Sequence, residues 1–408
     1  MKIVIGLSLS LSGEYAAMGR QAEAAIRLFA ADANSLGDLR LGGDRCEFEV
    51  DCRDDRSDPV RCAEIYGELC ADPRVALIFG PYSNRLARVA APIAEDAGKV
   101  FINHGGAGSA FHERGHRMAV SVLSPASDYF RGFVRLCSGL KLWRKRIAIV
   151  SSKLEFAREV AGGLEAAVNE RAARRHGVRI RVKWNGDFDP EATPETLFPA
   201  LKRNHVNVLA SAGSYEHDVA VVRSVVESPL SIPVVGCVAA AVQRFRTDLG
   251  EMAEGIVGPS QWEETLDITP ELGPRPVEFA RRMREAGYEP DYPAAQVYAA
   301  GLVTAAALRA AGSLDQARIR EAFSDLRSTT LFGDFAIDRV TGRQTGHSML
   351  LIQWHNGRKM IIEPEVHAEQ GSIQFPPGVR LLLAGAEMIK LSRRDHTDDD
   401  EEDDSNPD

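Results

Sequence analysis

The chain has 408 residues, of which 44% are hydrophobic and 26% are charged, a composition typical of globular proteins. No run approaches the ~18 to 20 apolar residues that span a bilayer, so we expect a soluble protein with no transmembrane segment. Nine of the 58 acidic residues lie in 395–408, and the other 49 equal the 49 basic residues. The net charge of −9 therefore belongs to the tail. The rest of the chain has no excess of positive charge that would indicate nucleic-acid binding.

The six cysteines show neither a CxxC motif nor zinc-like spacing. Because their neighbours are apolar, we expect buried free thiols, although a disulfide bond through Cys52 stays open. Met1-Lys2 leads directly into a predicted strand, without the charged start, apolar stretch and cleavage site of a secretory signal. As written, the chain is expected to be cytoplasmic.

Short apolar strands alternate with longer helical patterns, which is typical of βαβ units and a parallel sheet. The predicted strands of a first lobe are 3–9, 46–52, 75–79 and 100–102, with helices after Tyr15 and over 84–97. Strand 46–52 alternates strictly, which indicates a sheet edge. The predicted strands of a second lobe are 146–150, 178–182, 206–209 and 233–235.

Later segments predict how the lobes are joined. Helices 276–286 and 293–311 are expected to return to the first lobe, and 335–338 is expected to form a closing hairpin with 349–354 around Thr341-Gly342. No internal repeat of 20 to 50 residues is visible. The fold class is therefore α/β: two doubly wound parallel-sheet lobes joined by a multi-strand hinge.

The predicted division of the chain has three parts. Residues 1–122 plus 257–330 form the N-terminal lobe, and 123–256 plus 331–378 form the C-terminal lobe. Residues 379–408 are an extension that ends in a self-repelling, disordered acidic tail. Because doubly wound sheets bind ligands beyond the carboxyl ends of their strands, the binding site is expected in the cleft between the lobes.

Several motifs occur in unbroken order from residue 2 to about 365. They are Gly6 to Ser12-Gly13-x-Tyr15 and Gly19, Asp54-Asp55-x-Ser57-Asp58-Pro59, Gly80-Pro81-x-Ser83, Glu254-Gly255, Asp291-Tyr292 before Tyr298-Ala299-Ala300, and Gly342-Arg343 to Gly357-Arg358. Together they resemble the leucine/isoleucine/valine-binding family, the type I periplasmic-binding-fold solute receptors of ABC transporters. The resemblance implies a binding protein that is not an enzyme, needs no cofactor or metal, and has an ABC permease as its partner. Such receptors are periplasmic or belong to the cell envelope.

The first-lobe candidates for ligand binding follow the ends of predicted strands. Ser83 and Asn84 begin a helix, whose first N–H groups can hold a carboxylate or carbonyl together with the two side chains. Ser83 is equally consistent with an ordinary N-cap. Gly105, Gly106 and Ala107 follow the next strand, where missing side chains would let the backbone approach the ligand.

Aromatic candidates come from both lobes. The family pattern around Tyr15 favours a lid over the ligand, the alternative being a ring packed on a strand end. The second-lobe candidates are Phe156, Ser214, Tyr215 and Val238. Trp262 and Tyr292 are candidate aromatic walls, and both are equally consistent with core or hinge positions.

The turn after strand 233–235 departs from the family pattern. Amino-acid-binding relatives place a carboxylate there for the ligand's ammonium, whereas this chain reads Gly236-Cys237-Val238-Ala239-Ala240. Asn84 and Ala107 also replace a serine and a threonine. Because an enclosed ammonium without a partner costs several kcal/mol, we expect a ligand with a carboxylate or amide end and no free α-ammonium. An aromatic acid, a keto acid or an amide fits, unless Glu155, Glu216 or Asp218 reaches in to rescue amino-acid binding.

The sequence also contains features that are typical of three other functions. His112, Glu113 and His116 match the HExxH pattern of zinc hydrolases, but Gly115 weakens the helix that the pattern needs. The glycines at 105–108 lack the spacing of a dinucleotide-binding turn. A cytosolic small-molecule sensor of the same fold, controlling a partner protein, is the stronger rival, and it is favoured by the absent signal.

Overall fold

The computed structural model describes residues 1–109, 112, 115–140, 144–174, 180–187, 197–369, 373–377 and 379. The predicted acidic tail lies outside the described residues. All statements below concern the described part of the chain.

The first lobe is built on a parallel sheet. Its first strands and the small ribbon between them are β1 (Lys2–Leu9), β2 (Arg40–Leu41), β3 (Asp44–Arg45) and β4 (Glu47–Asp54). Its other strands are β5 (Val75–Phe79), β6 (Phe101–Asn103) and β7 (Ala119–Ser121). The order β4-β1-β5-β6-β7 places the alternating β4 at an edge, as its pattern predicts. Helices α1 (Ala16–Leu36), α2 (Pro59–Ala71) and α3 (Asn84–Asp96) connect these strands.

The second lobe has a seven-stranded sheet. Its parallel strands are β8 (Lys145–Ser151), β9 (Ile180–Asp187), β10 (Val208–Ala212), β11 (Val234–Cys237) and β12 (Val257–Ser260). Its helices are α4 (Arg131–Gly139), α5 (Glu155–Arg174), α6 (Leu197–Arg203), α7 (Tyr215–Glu227) and α8 (Arg244–Leu249). Short 3-10 helices cover Ala126–Asp128, Val238–Ala241, Gly250–Ala253 and Glu365–His367.

The remaining elements complete both lobes. They are α9 (Pro276–Glu285), α10 (Tyr292–Ala311), α11 (Gln316–Asp325), β13 (Ser328–Thr330), β14 (Gly333–Phe335), β15 (Leu350–His355) and β16 (Arg358–Glu363). The second sheet has the order β16-β15-β12-β11-β10-β8-β9, while β13 and β14 form a separate ribbon. Helix α10 packs on α1, so this segment returns to the first lobe as expected.

Two expectations about the hinge need correction. Strand β12 pairs with β11 and β15, so the chain leaves the second lobe after Ser260 and not at 257. The antiparallel partner of β15 is β16, not 335–338. The turn between them, Asn356-Gly357, has φ of 52° and 78°, the left-handed pair that two-residue hairpins favour.

Among the described helices, α10 alone has the length and mean hydropathy of a membrane span, and 72% of that window is buried inside the protein. Its packing on α1 accounts for its apolar composition. All six cysteines are free thiols, and Cys52 forms no disulfide bond.

Candidate ligand-binding cleft

The loop that carries Tyr15 is held by a carboxylate at the end of β4. Asp54 accepts hydrogen bonds from the N–H groups of Leu11 (2.9 Å) and Ser12 (3.2 Å) and from the hydroxyl of Ser12 (2.7 Å). Burial opposes ionisation, yet these bonds and one from the N–H of Arg56 hold the pKa of Asp54 below its ordinary value. The carboxylate therefore acts as a scaffold for the loop.

The neighbouring carboxylate is fully buried and extends this scaffold. Asp55 accepts from the hydroxyls of Ser8 (2.7 Å) and Ser10 (2.5 Å) and from the N–H of Ser57 (2.9 Å). The hydroxyl of Ser57 in turn accepts from the N–H of Tyr15 (3.0 Å). The motif Asp54-Asp55-x-Ser57 thus fixes the first wall of the cleft by local chemistry.

In this loop Gly13 allows the tight turn, and Tyr15 places its ring beside α3. Gly13 has φ 82°, and a Cβ there would lie 2.4 Å from the carbonyl oxygen of Arg56, so only glycine fits. The ring of Tyr15 packs edge-on against Tyr82, with centroids 6.1 Å apart. Burial raises the pKa of Tyr15, partly offset by hydrogen bonding to Arg85. The loop therefore presents a neutral phenol beside α3.

Ser83 is the N-cap of α3 and has a strained backbone. Its φ of 98° lies in the left-handed region, which residues other than glycine rarely adopt. Its hydroxyl accepts a long hydrogen bond of 3.4 Å from the N–H of Leu86, and its own N–H donates to the carbonyl of Gly105 (3.1 Å). Residues with strained backbones are common at functional sites. The geometry is therefore consistent both with an N-cap role and with a ligand-binding role for Ser83.

The other first-lobe candidates serve mainly to connect loops. The amide oxygen of Asn84 accepts from the N–H of Gly108 (2.9 Å). A Cβ on Gly105 would lie 2.3 Å from the carbonyl oxygen of Pro81, so this glycine admits a neighbouring loop. The amide of Asn103 bonds both the N–H (2.9 Å) and the carbonyl (2.7 Å) of Gly106. The carbonyl of Ala107 accepts from the N–H of Ala126 (2.7 Å).

Tyrosine rings from both lobes converge in the cleft. The hydroxyls of Tyr82 and Tyr292 lie 2.5 Å apart, and Tyr129 packs edge-on against Phe156 with centroids 5.4 Å apart. Chiefly burial raises the pKa of Tyr82 and of Tyr292, and the phenol of Tyr129 adds to both shifts. The cleft therefore contains neutral phenols that can donate or accept hydrogen bonds.

Tyr82 and Tyr129 were missed by sequence reasoning. Tyr82 occupies the variable position of Gly80-Pro81-x-Ser83, so its proximity to the candidate Ser83 was an available signal. Tyr129 follows the first hinge crossing in a short 3-10 segment that no periodicity indicates.

The second-lobe candidates do not all face the cleft. Ser214 caps α7 by accepting from the N–H of His217 (3.2 Å). Val238 is half-buried and begins a 3-10 turn whose other residues are buried. Tyr215 donates to Asp248 (2.9 Å), and the guanidinium of Arg244 lies 4.7 Å from the centre of its ring. Tyr215 is thus engaged inside the second lobe.

Trp262 belongs to the core. It is 2% exposed, donates from Nε1 to the carbonyl of Leu331 (3.0 Å) and packs edge-on against Phe279. These contacts agree with the core or hinge alternative for this residue, and its role as a cleft wall stays a prediction.

Three acidic residues were considered as partners for the ammonium of an amino-acid ligand, and each either bonds to protein groups or is exposed. Asp218 is fully buried and accepts from the hydroxyl of Ser211 (2.7 Å), from Nδ1 of His217 (3.2 Å) and from the N–H of Ala239 (2.9 Å). It supports the turn after β11 from behind. Glu155 forms an ion pair with Arg88. Glu216 is exposed in the first turn of α7.

The lobes contact each other across the cleft. Arg88 of α3 pairs with Glu155 of α5, and one turn further along α5 the carboxylate of Glu159 accepts from the N–H (3.1 Å) and hydroxyl (3.3 Å) of Ser109. Both acidic residues lie on one face of α5, since four positions separate them. One face of a second-lobe helix therefore forms polar contacts with two segments of the first lobe.

A buried ion pair supports the wall formed by 238–241. Nζ of Lys359 lies 2.8 Å from Oε2 of Glu263 and donates to the carbonyl of Ala241 (2.8 Å). Burial raises the pKa of Glu263 to about 7, opposed by the attraction of Lys359. For Lys359, desolvation is the largest single effect and lowers the pKa, but the attraction and hydrogen bond to Glu263, together with the nearby carboxylates of Asp291 and Glu264, raise it overall. The ammonium is thus committed to the protein.

The HExxH segment has a different environment from a zinc site. The ring nitrogens of His112 lie 2.7 Å from the hydroxyl of Ser121 and 2.8 Å from the carbonyl of Thr341. Glu113 lies outside the described residues. Among the described residues no cluster of His, Cys, Asp and Glu has the geometry to hold a metal ion.

The chain crosses between the two sheets three times, after β7, after β12 and before β15, and we call these crossings the three hinge segments. Two doubly wound lobes joined by such a hinge define a two-lobed small-molecule binding protein. The chain belongs to the periplasmic binding protein family, whose model matches residues 2–359. It is 22% identical over 362 residues to Leu/Ile/Val-binding protein homolog 2 of Brucella abortus, covering 87% of this chain and 91% of the relative. It is 23% identical over 367 residues to homolog 1 of Brucella melitensis, with the same coverage.

Solved structures share the fold. A putative branched-chain amino acid ABC transporter protein of Silicibacter pomeroyi has a TM-score of 0.78 at 16% identity, covering 92% of this chain and all of that one. The substrate-binding protein LivJ of Streptococcus pneumoniae, in complex with isoleucine, has 0.72 at 17% identity, with coverages of 89% and 100%. A solute-binding protein of R. palustris, in complex with 4-hydroxybenzoate, also has 0.72 at 17%, with coverages of 88% and 95%.

Proposed function

We propose that the protein is the ligand-binding component of an ABC transporter of the branched-chain-amino-acid type. It captures a small molecule between its lobes, and hinge closure completes the contacts, biasing an open–closed equilibrium by differential affinity. Support comes from the family match over residues 2–359 and from Leu/Ile/Val-binding relatives that align over 91% of their length. The cleft binds its ligand without changing it chemically. The closed form then binds a pair of membrane permease subunits.

The ligand proposed for this cleft has a carboxylate or amide end and no free α-ammonium. One observation carries this: Asp218, the buried acid behind the turn after β11, already accepts three hydrogen bonds from protein donors. The turn Gly236-Cys237-Val238-Ala239-Ala240 has no carboxylate of its own. An ammonium enclosed there would find no carboxylate oxygen directed at it, because those of Asp218 face Ser211, His217 and Ala239, and an ammonium without a bonded partner costs several kcal/mol.

The rings in the cleft favour a planar ligand. Tyr82, Tyr129, Phe156 and Tyr292 offer edges and faces for stacking. The phenols of the three tyrosines are neutral, because burial raises the pKa of each. A neighbour of the same fold is known in complex with 4-hydroxybenzoate, and another in complex with isoleucine. Of these two chemistries, the aromatic acid matches the cleft better.

A thermal-shift screen tests the proposal. We expect 4-hydroxybenzoate, related aromatic or keto acids, or their amides to raise the melting temperature by several degrees at millimolar concentration, because binding to the native state alone stabilises it. Leucine and valine are expected to have no effect. Strong stabilisation by leucine with none by the acids and amides would contradict the ligand class.

A matched pair of serine variants locates the site. Ser83→Ala removes a cleft hydroxyl, whereas Ser138→Ala removes a hydroxyl that bonds only within α4, to the carbonyl of Val134. The first is expected to weaken the response to the active compound about tenfold, and the second to leave it unchanged.

A further inference from the structure

The three hinge segments meet at Ser124, Gln261 and His347. The amide of Gln261 exchanges two hydrogen bonds with the backbone of Ser124: it accepts from the N–H (3.1 Å) and donates to the carbonyl (2.9 Å). The hydroxyl of Ser124 lies 2.7 Å from Nδ1 of His347, and Nε2 of His347 lies 3.0 Å from the carbonyl of Gln261. We call these three residues the hinge triad.

The partners of His347 fix its tautomer. A carbonyl can only accept, so Nε2 carries the proton that is donated to Gln261. Nδ1 is then an acceptor, and the hydroxyl of Ser124, which also lies 3.1 Å from the backbone carbonyl of His347, donates to it at 2.7 Å. The imidazole stacks on Phe332 at 4.5 Å, and burial lowers the pKa of His347 to about 4. The hinge triad is therefore a closed, uncharged hydrogen-bond ring.

One bond leads from the hinge triad into the cleft. The amide nitrogen of Gln261 has two hydrogens: one goes to the carbonyl of Ser124, and the other goes to the hydroxyl of Tyr129 (3.3 Å). Tyr129 packs edge-on against Phe156, whose helix α5 carries the interlobe contacts Glu155 and Glu159. A single amide thus joins the hinge backbone to a ring of the cleft wall.

We propose that Gln261 is a positioning residue that couples lobe closure to the orientation of Tyr129 in the cleft. Gln261 directly follows β12 and Tyr129 packs on α5, so their bond ties the hinge backbone to the helix that makes the interlobe contacts. Ligand that packs on Tyr129 and Phe156 then favours the closed hinge through Gln261, a coupling between two sites of one two-state element. Only the identity of the ligand rests on the function proposed above.

The test uses the ligand-free full-length protein, so it does not depend on that function. Tyr129→Phe removes the hydroxyl that Gln261 binds and keeps the ring. We expect small-angle X-ray scattering to give a larger radius of gyration for this variant, because the helix that makes the interlobe contacts is then no longer tied to the hinge backbone. Tyr66→Phe, which removes a buried hydroxyl bonded to the carbonyl of Phe79 far from the hinge, is the control and should scatter as the wild type does.

A double-mutant cycle separates coupling from simple loss of stability. Ser124→Ala removes the hydroxyl bond to His347, and its effect on scattering should be non-additive with that of Tyr129→Phe. Titration with 4-hydroxybenzoate should also weaken about threefold in Tyr129→Phe. Additive effects, or wild-type scattering from both single variants, would overturn the proposal. Failure of 4-hydroxybenzoate and leucine to bind the wild type would count against the proposed function alone, since the scattering cycle uses no ligand.

Discussion

The phenol oxygens of Tyr82 and Tyr292 lie 2.5 Å apart, although the residues are 210 positions apart in the chain. This bond joins the loop before α3 to the first residue of α10. Burial keeps both phenols neutral by raising the pKa of each hydroxyl. The pair can therefore offer a hydrogen bond to a ligand without bringing charge into the cleft.

Tyr82→Phe is expected to weaken binding of the compound that the screen identifies by about five- to tenfold, because one hydrogen bond to a buried polar group is worth about 1 kcal/mol. Isothermal titration calorimetry measures this change. Tyr66→Phe is the control: it lowers stability through its lost bond to Phe79 but should leave affinity unchanged. Equal affinities for wild type and Tyr82→Phe would place the ligand elsewhere.

Asp55→Asn is expected to lower the free energy of unfolding by about 2–3 kcal/mol. The substitution removes a charged acceptor that serves Ser8, Ser10 and Ser57 in a fully buried position. Urea denaturation measures the loss. Asp38→Asn, at an exposed pair with Arg309, should change stability by under about 1 kcal/mol. Equal effects of the two variants would mean that Asp55 is no scaffold.

Stability is expected to fall as the pH drops from about 6.5 towards 4. Burial lowers the pKa of His104, His112 and His347 to about 4, whereas the unfolded imidazoles take up protons near their ordinary pKa of 6.5. Between these values the unfolded state binds more protons, so each neutral imidazole contributes stability above pH 6.5 that is lost on acidification.

Urea denaturation at pH 7 and pH 5 checks this dependence. His347→Gln should make the difference between the two pH values smaller, by roughly 1–2 kcal/mol. His205→Asn, at an exposed residue with φ of 50° that asparagine tolerates, should keep the wild-type difference. If His347→Gln also kept it, the imidazole would not be the titrating group.

Glu155→Gln is expected to speed ligand release a few-fold while leaving the melting temperature of the ligand-free protein nearly unchanged. The carboxylate pairs with Arg88 across the lobes at an exposed position, where ion pairs contribute under about 1 kcal/mol. Stopped-flow displacement measures the rate. Glu285→Gln breaks an exposed pair with Arg281 inside α9 and serves as the control. Identical release rates would remove Glu155 from the closure contacts.

Lys359→Met is expected to cost about 3–5 kcal/mol of folding stability, because it leaves the carboxylate of Glu263 buried without its partner. Adding Glu263→Gln should recover much of the loss, since the remaining group is then neutral. Thermal and urea denaturation of the single and double variants measure both effects. A double variant as unstable as the single one would contradict a dominant charge effect.

Predictions from the sequence were most accurate where local patterns decide structure. The strand predicted over 75–79 is observed as Val75–Phe79, and the helix predicted over 84–97 is observed as Asn84–Asp96. The hairpin partner of β15 was wrong, because pairing depends on which segments meet and both candidates read as strands. For Trp262 the sequence left both positions open, since a large ring near a hinge fits core and cleft equally well.

By itself, the sequence determined the α/β class, the two lobes and the family resemblance, because periodicity and short-range turn chemistry are written in neighbouring residues. Only the tertiary structure decided that Asp218 is occupied, that Tyr82 meets Tyr292, and that Ser124, Gln261 and His347 close a ring. Ser124 is 137 positions from Gln261 and 223 from His347. Such contacts arise from how the lobes pack and cross, and no local pattern encodes them.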